Sequence, residues 1–238
     1  MAEKKIQRIL DVLKPGDVIN TAGVEHWFSH PFIALAYSQI RVHQKHILYN
    51  KQLRPTSYWM DTHTVQYFPS YRVFSMQPPK GQWINIELYL ADCVDAGERI
   101  SVLRYVKPIE GKLLCDIPEY ITIMEKAADQ MVGVNYAYED LCFIALNRLL
   151  GYDWKNHLGW LDWNKKNKVC STAIRTNFEY LRKKIEPKMT RLFDKLNRDY
   201  WTGKEYAEFD GVDVEETCPA LYNNSKFFDS EFKTIITS

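Results

Sequence analysis

The apolar positions Ile6, Ile9, Leu10 and Leu13 recur at helical spacing, which predicts an amphipathic helix over residues 4–13. Pro15-Gly16 stops it. Residues 17–20 read as a short strand, Gly23 as a turn, and the aromatic-rich stretch 27–40 as a helix. Further runs rich in β-branched and aromatic residues, 46–49, 58–61, 71–75, 83–90 and 100–106, read as strands. Beyond Pro108 the period lengthens from two to 3.6. Pro118 opens a helix to about residue 132, with Ile121, Met124, Ala128 and Met131 on one face and Gly133 past its end. Residues 138–150 are apolar almost all round, which predicts a buried helix ending at Gly151. The Trp- and Asn-rich stretch 152–168 reads as an irregular loop, and Cys170 opens a helix to about residue 184. Another helix follows Pro187 as far as residue 200, before a polar loop and a C-terminal tail. Strands in the middle and helices after them predict an α+β fold, a central antiparallel sheet packed against helices. No repeat or long linker divides the chain, so residues 1–238 are expected to form one domain with a C-terminal helical extension from about 186.

Composition narrows the function classes. The 238 residues are 46% hydrophobic and 26% charged, with a formal net charge of +1, which is ordinary for a globular chain. A near-zero charge argues against a dedicated nucleic-acid binder, since duplex binding needs a marked excess of Lys and Arg. The longest apolar stretch, 141–146, is far short of the ~20 residues of a membrane span. No signal-peptide core forms near the start, because Lys14, Pro15, Gly16 and Asp17 interrupt it. The expectation is a cytoplasmic protein without a membrane span; a virus-encoded or virion-associated protein enters only through the family resemblance that the motifs carry. Five cysteines, Cys93, Cys115, Cys142, Cys170 and Cys218, stand at wide spacings with no CxxC pair, poor material for a disulfide framework or a structural zinc site. Free thiols, no metal and no cofactor are expected.

One thiol differs from the rest by position. Cys170 falls in the first turn of its helix, where unpaired N–H groups and the positive end of the macrodipole favour a thiolate. The alternative is a small apolar residue on the face of Ile174 and Phe178. A nucleophilic Cys needs a base, and the base an orienting polar group. His46 opens the apolar run Ile47-Leu48-Tyr49, and Asp61 ends the next strand, with His63 the alternative third residue. His26 and His30 have the i, i+4 spacing of metal-binding helices but lack the HExxH glutamate. Trp27 beside them is a candidate for a substrate cleft. Trp154, Trp160 and Trp163 cluster before Cys170 and are either core or the wall of an apolar acyl pocket.

Together these pieces resemble the circularly permuted, NlpC-type papain-like cysteine peptidases and amidases, the YiiX-like branch related to lecithin retinol acyltransferase. Lys14-Pro15-Gly16-Asp17-Val18-Ile19 is similar to that family's first strand, and Lys45-His46-Ile47-Leu48-Tyr49 to the strand carrying its base. Trp59-Met60-Asp61-Thr62 resembles the strand of the third polar residue, and Gly133-Val134-Asn135-Tyr136-Ala137-Tyr138 a turn that adds Tyr136 to the candidate cleft. Lys168-Val169-Cys170-Ser171-Thr172 stands at the nucleophile motif and Cys218-Pro219-Ala220-Leu221 at a late segment. His46 precedes Cys170, the order of the permuted branch. Lys45, Leu48 and Thr172 depart from the usual small residue, Gly and Glu, and Asp61 stands where Glu is commoner. The resemblance implies a papain-like fold with the nucleophile at a helix N-terminus and a thiol hydrolase with a Cys170–His46–Asp61 triad. Its substrates would be peptide or isopeptide amides, or acyl-lipid esters or thioesters. A lipid acyltransferase and a non-catalytic binding or virion structural module on the same fold are the competing readings.

Overall fold

A computed structural model describes residues 2–23, 38, 40, 41, 44, 61–137, 168–189, 192, 218–222 and 231–238. Strands β1 (Val18–Ala22), β2 (His63–Phe68), β3 (Arg72–Gln77), β4 (Lys80–Asn85), β5 (Arg99–Tyr105) and β6 (Phe232–Thr237) form one sheet in the order β4-β3-β2-β1-β5-β6. Every pairing is antiparallel. The fold is therefore α+β around an antiparallel sheet, as expected from the sequence.

Helices cover both faces. Helix α1 (Ala2–Leu10) and helix α2 (Ile86–Asp95) enclose Ile19, Val65, Val73, Ile100 and Val102 on one side. Helix α3 (Pro118–Met131), helix α4 (Cys170–Ile185) and the single turn α5 (Pro219–Tyr222) enclose Val18, Phe68, Phe74, Leu103 and Tyr105 on the other. Alternation along each strand sends successive side chains to opposite layers. Asn20, Thr64 and Ser101, which sit side by side in register, thus share the α4 face. Thr21, His63 and Ile100 share the α2 face.

The entry into β1 is fixed electrostatically. Gly16 turns at φ +88°, and the buried Asp17 carboxylate accepts from Arg104 Nε at 2.8 Å and Arg104 Nη2 at 2.7 Å. This bidentate pair ties the chain entering β1 to β5. No described helix is long and apolar enough to cross a membrane.

Several expected elements shift. Residues 83–90 are not one strand: β4 ends at Asn85, whose side chain accepts from the N–H groups of Glu87 and Leu88 and starts α2. The amide cap outweighs the β-forming run that crosses the boundary. Strand β2 lies where no strand was expected, and the C-terminal tail contributes β6. Asp61 belongs to the lead into β2 and not to a strand. Residues 186–189 form a turn and bend, and the helix expected from Pro187 to residue 200 falls almost wholly outside the described residues. The helices expected at 27–40 and 138–150, the strand at 46–49 and the Trp-rich loop fall outside, or almost wholly outside, the described residues.

Candidate active site around Cys170

Cys170 is the first residue of α4 and is 2% exposed. The first turn is held by Thr172, whose hydroxyl accepts from the Val169 N–H at 3.1 Å and donates to the Val169 carbonyl at 3.0 Å. Threonine here does the work that Glu or Gln performs at the third position of a capping box. Farther along, Ala173, Ile174 and Phe178 anchor α4 in the core, and Asn177 Nδ2 donates to Gln66 Oε1 on β2 at 2.8 Å. The helix start is thereby pressed against the centre of the sheet.

Burial pushes the Cys170 thiol up to about 11, opposed by the backbone groups of Thr64, Ser171 and Cys170 itself and by the Ser171 side chain. Cys218 is pushed up further, to about 12, again by burial, and burial raises the Cys93 thiol as well. Among the described thiols, Cys170 is thus the one that meets both a helix N-terminus and the backbone of a central strand. Those amides favour developing negative charge on sulfur or on a bound oxygen.

Asp61 lies at the end of the same sheet face. Its Oδ1 accepts from Arg99 Nη2 on β5, and its Oδ2 from Asn20 Nδ2 on β1 at 3.3 Å. Burial raises its pKa to about 6, with the Arg99 and Asn20 hydrogen bonds pulling the other way. Asn20 Oδ1 accepts from Thr64 Oγ1 at 2.8 Å, so a short chain of bonds runs from Asp61 through Asn20 to the strand residue whose backbone meets the thiol. Gln44 links the Asp61 carbonyl (2.6 Å) to the Ala220 N–H (2.8 Å), and Asn20 Nδ2 also donates to the Pro219 carbonyl at 2.7 Å. Tyr222 donates to the Ser171 carbonyl at 3.0 Å. The α5 turn is therefore pinned beside the start of α4.

His63 lies on the opposite face of the sheet from Cys170. Its Nε2 is 3.0 Å from Ser75 Oγ, and its ring centroid is 6.5 Å from that of Tyr89 on α2. Burial lowers its pKa to about 4. Tyr136 is 5% exposed and sits in the core with α3 and α4, bridging by its backbone to Lys168. His46, Trp27, Trp160 and Trp163 fall outside the described residues.

Asn20, Gln44, Thr64 and Arg99 were not singled out from the sequence. Asn20 shares the α4 face of β1 with Val18, and there its amide is buried. No protein-family model matches the chain and no curated protein matches it, so the reading of this site rests on its own residues and geometry.

Proposed function

We propose that the chain is a thiol hydrolase on a permuted papain-like fold, with Cys170 as nucleophile, His46 as base and Asp61 as the group that orients the base. One observation carries this reading: a cysteine at the first position of a helix meets a central strand, on the sheet face where a buried carboxylate also lies. Cys170 Sγ, having passed its proton to His46, attacks a carbonyl carbon. The oxyanion of the tetrahedral adduct is stabilised by N–H groups at the start of α4. As the adduct collapses, the leaving amine, alcohol or thiol takes the proton from His46. Water, deprotonated by His46, then releases the acyl group and regenerates the thiol. With another nucleophile in place of water the same site transfers the acyl group.

Amide, ester and thioester carbonyls all suit this chemistry, so the substrates are peptides, isopeptides or acyl lipids. The competing reading, a non-catalytic binding or structural module, draws on the burial that raises the Cys170 thiol to about 11. The two readings differ in thiol reactivity. Limited iodoacetamide labelling at pH 7 followed by peptide mass spectrometry is expected to modify Cys170 first in the wild type and to lose that preference in His46→Ala. Labelling spread evenly over the five cysteines would leave the non-catalytic module as the better account.

A further inference from the structure

We infer that Asn20 is a positioning residue of this site, fixing the Asp61 carboxylate and the Pro219 turn in one arrangement beside Cys170. The inference rests on the proposed Cys170–His46–Asp61 hydrolase. Asn20 is fully buried in the middle of β1, between Thr64 of β2 and Ser101 of β5. A buried amide costs stability unless its hydrogen bonds are made. Here both donor directions are used: Nδ2 reaches Asp61 Oδ2 at 3.3 Å and the Pro219 carbonyl at 2.7 Å. Its oxygen accepts from Thr64 Oγ1 at 2.8 Å. One side chain thus joins two segments far apart in sequence, the lead into β2 and the α5 turn.

The consequence concerns direction. A carboxylate orients an imidazole only when its own plane is held, and Asp61 is held from two sides, by Arg99 of β5 at Oδ1 and by Asn20 of β1 at Oδ2. Arg99 supplies charge, and Asn20 supplies a neutral donor fixed by its Thr64 and Pro219 bonds. Among the described residues, the titratable groups facing this layer include Arg99 from β5, Cys170 and Arg175 from α4, Cys218 at the start of the α5 turn and Tyr222 within it. Without the Asn20 bond Asp61 stabilises the His46 imidazolium less well, and the thiolate paired with that imidazolium forms at higher pH.

The test uses the full chain and iodoacetamide, with the rate of Cys170 labelling followed from pH 5 to 9. Asn20→Leu, checked for folding by circular dichroism, is expected to label Cys170 about tenfold more slowly at pH 7, with the midpoint of its pH profile moved upward. Ser101→Ala, at the other strand neighbour of Asn20, leaves every Asn20 bond in place and is expected to stay within about twofold of the wild type. Should Asn20→Leu fail to fold, Asn20→Ser serves instead, because its single hydroxyl cannot reach Asp61 and Pro219 together. A selective wild type with an unchanged rate and midpoint in the folded Asn20 variant overturns the role of Asn20 and leaves the hydrolase standing. An equal loss in Ser101→Ala also overturns it, since packing of the strands would then set the rate. A wild type in which Cys170 is no more reactive than the other thiols overturns the hydrolase and the role of Asn20 with it.

Discussion

Asp61 and His63 stand two residues apart, reach opposite faces of the sheet, and have their protonation moved by burial in opposite directions, to about 6 and about 4. Between roughly pH 4 and 6 the folded state holds a proton on Asp61 that the unfolded state has lost, so this group lowers stability as pH rises. Between roughly pH 4 and 6.5 the unfolded state holds a proton on His63 that the folded state lacks, so this group raises stability as pH rises. Each effect is on the order of 3 kcal/mol, and together they nearly cancel. Removing either one exposes the other. Thermal melts from pH 4 to 6.5 are expected to show Asp61→Asn gaining stability with pH relative to wild type, and His63→Gln losing it. The raised carboxyls of Asp17 and Glu98 remain in both variants and add the same slope to each. Parallel slopes in the two variants would contradict the opposed burial. Asp61 lies in the lead into β2 and not at the strand end it was read as, whereas Cys170 was legible in the sequence because a helix start leaves a local signal. Asn20, Thr64 and Gln66 were not, because a polar residue within a strand reads as solvent-facing until its partner across the sheet is known. All three are fully buried, Asn20 and Thr64 bonded to each other and Gln66 to Asn177 of α4.

At the scale of elements, the start of α4 decides where the Cys170 sulfur points, and Thr172 closes that start. Val169 at the cap has no polar side chain, so the two bonds of the Thr172 hydroxyl stand in for a conventional cap. Thr172→Val keeps the volume but leaves the Val169 N–H without this acceptor. The expected cost is about 1 kcal/mol, within the usual range for a lost helix cap, measured by urea unfolding. An unchanged midpoint would show that the hydroxyl contributes nothing to the helix start. The β4–α2 boundary illustrates why neighbouring elements were harder to read. Trp83 to Leu90 is a run of good strand formers interrupted by little except Asn85, and the amide of that one residue ends the strand and caps the helix. Strand β2 was obscured for the opposite reason. Both of its faces are covered, by α4 on one side and the α2 layer on the other, so polar Thr64 and Gln66 alternate with Val65 and Tyr67 without an outward face to mark.

For the molecule as a whole, the C-terminal strand is structural and not a tail. Strand β6 pairs with β5 and brings Phe232, 2% exposed, into an aromatic cluster. Its ring stands edge-on to Phe178 at 5.3 Å, to Tyr105 at 5.5 Å and to Tyr222 at 5.1 Å between centroids. The strand is flanked by the Lys107–Glu231 ion pair at 3.1 Å and by the backbone bonds between Ser238 and Ile100. Through Phe178 the cluster holds α4, and through Tyr222 it holds the turn bonded to Ser171 beside the nucleophile. Loss of a buried Phe costs about 3–5 kcal/mol, and each aromatic pair adds about 0.5–1.5 kcal/mol. Deletion of residues 231–238 is therefore expected to remove more than about 5 kcal/mol, a drop in Tm of more than about 10 °C for a chain of this size. Phe232→Leu, which keeps the strand and most of the apolar volume, is expected to lose much less. Calorimetry of the two variants separates them, and a truncated chain melting within about 3 °C of the full one would contradict a closing role for β6. The same truncation is expected to slow Cys170 labelling in molecules that remain folded, because the far anchor of α4 and the anchor of the α5 turn are lost together.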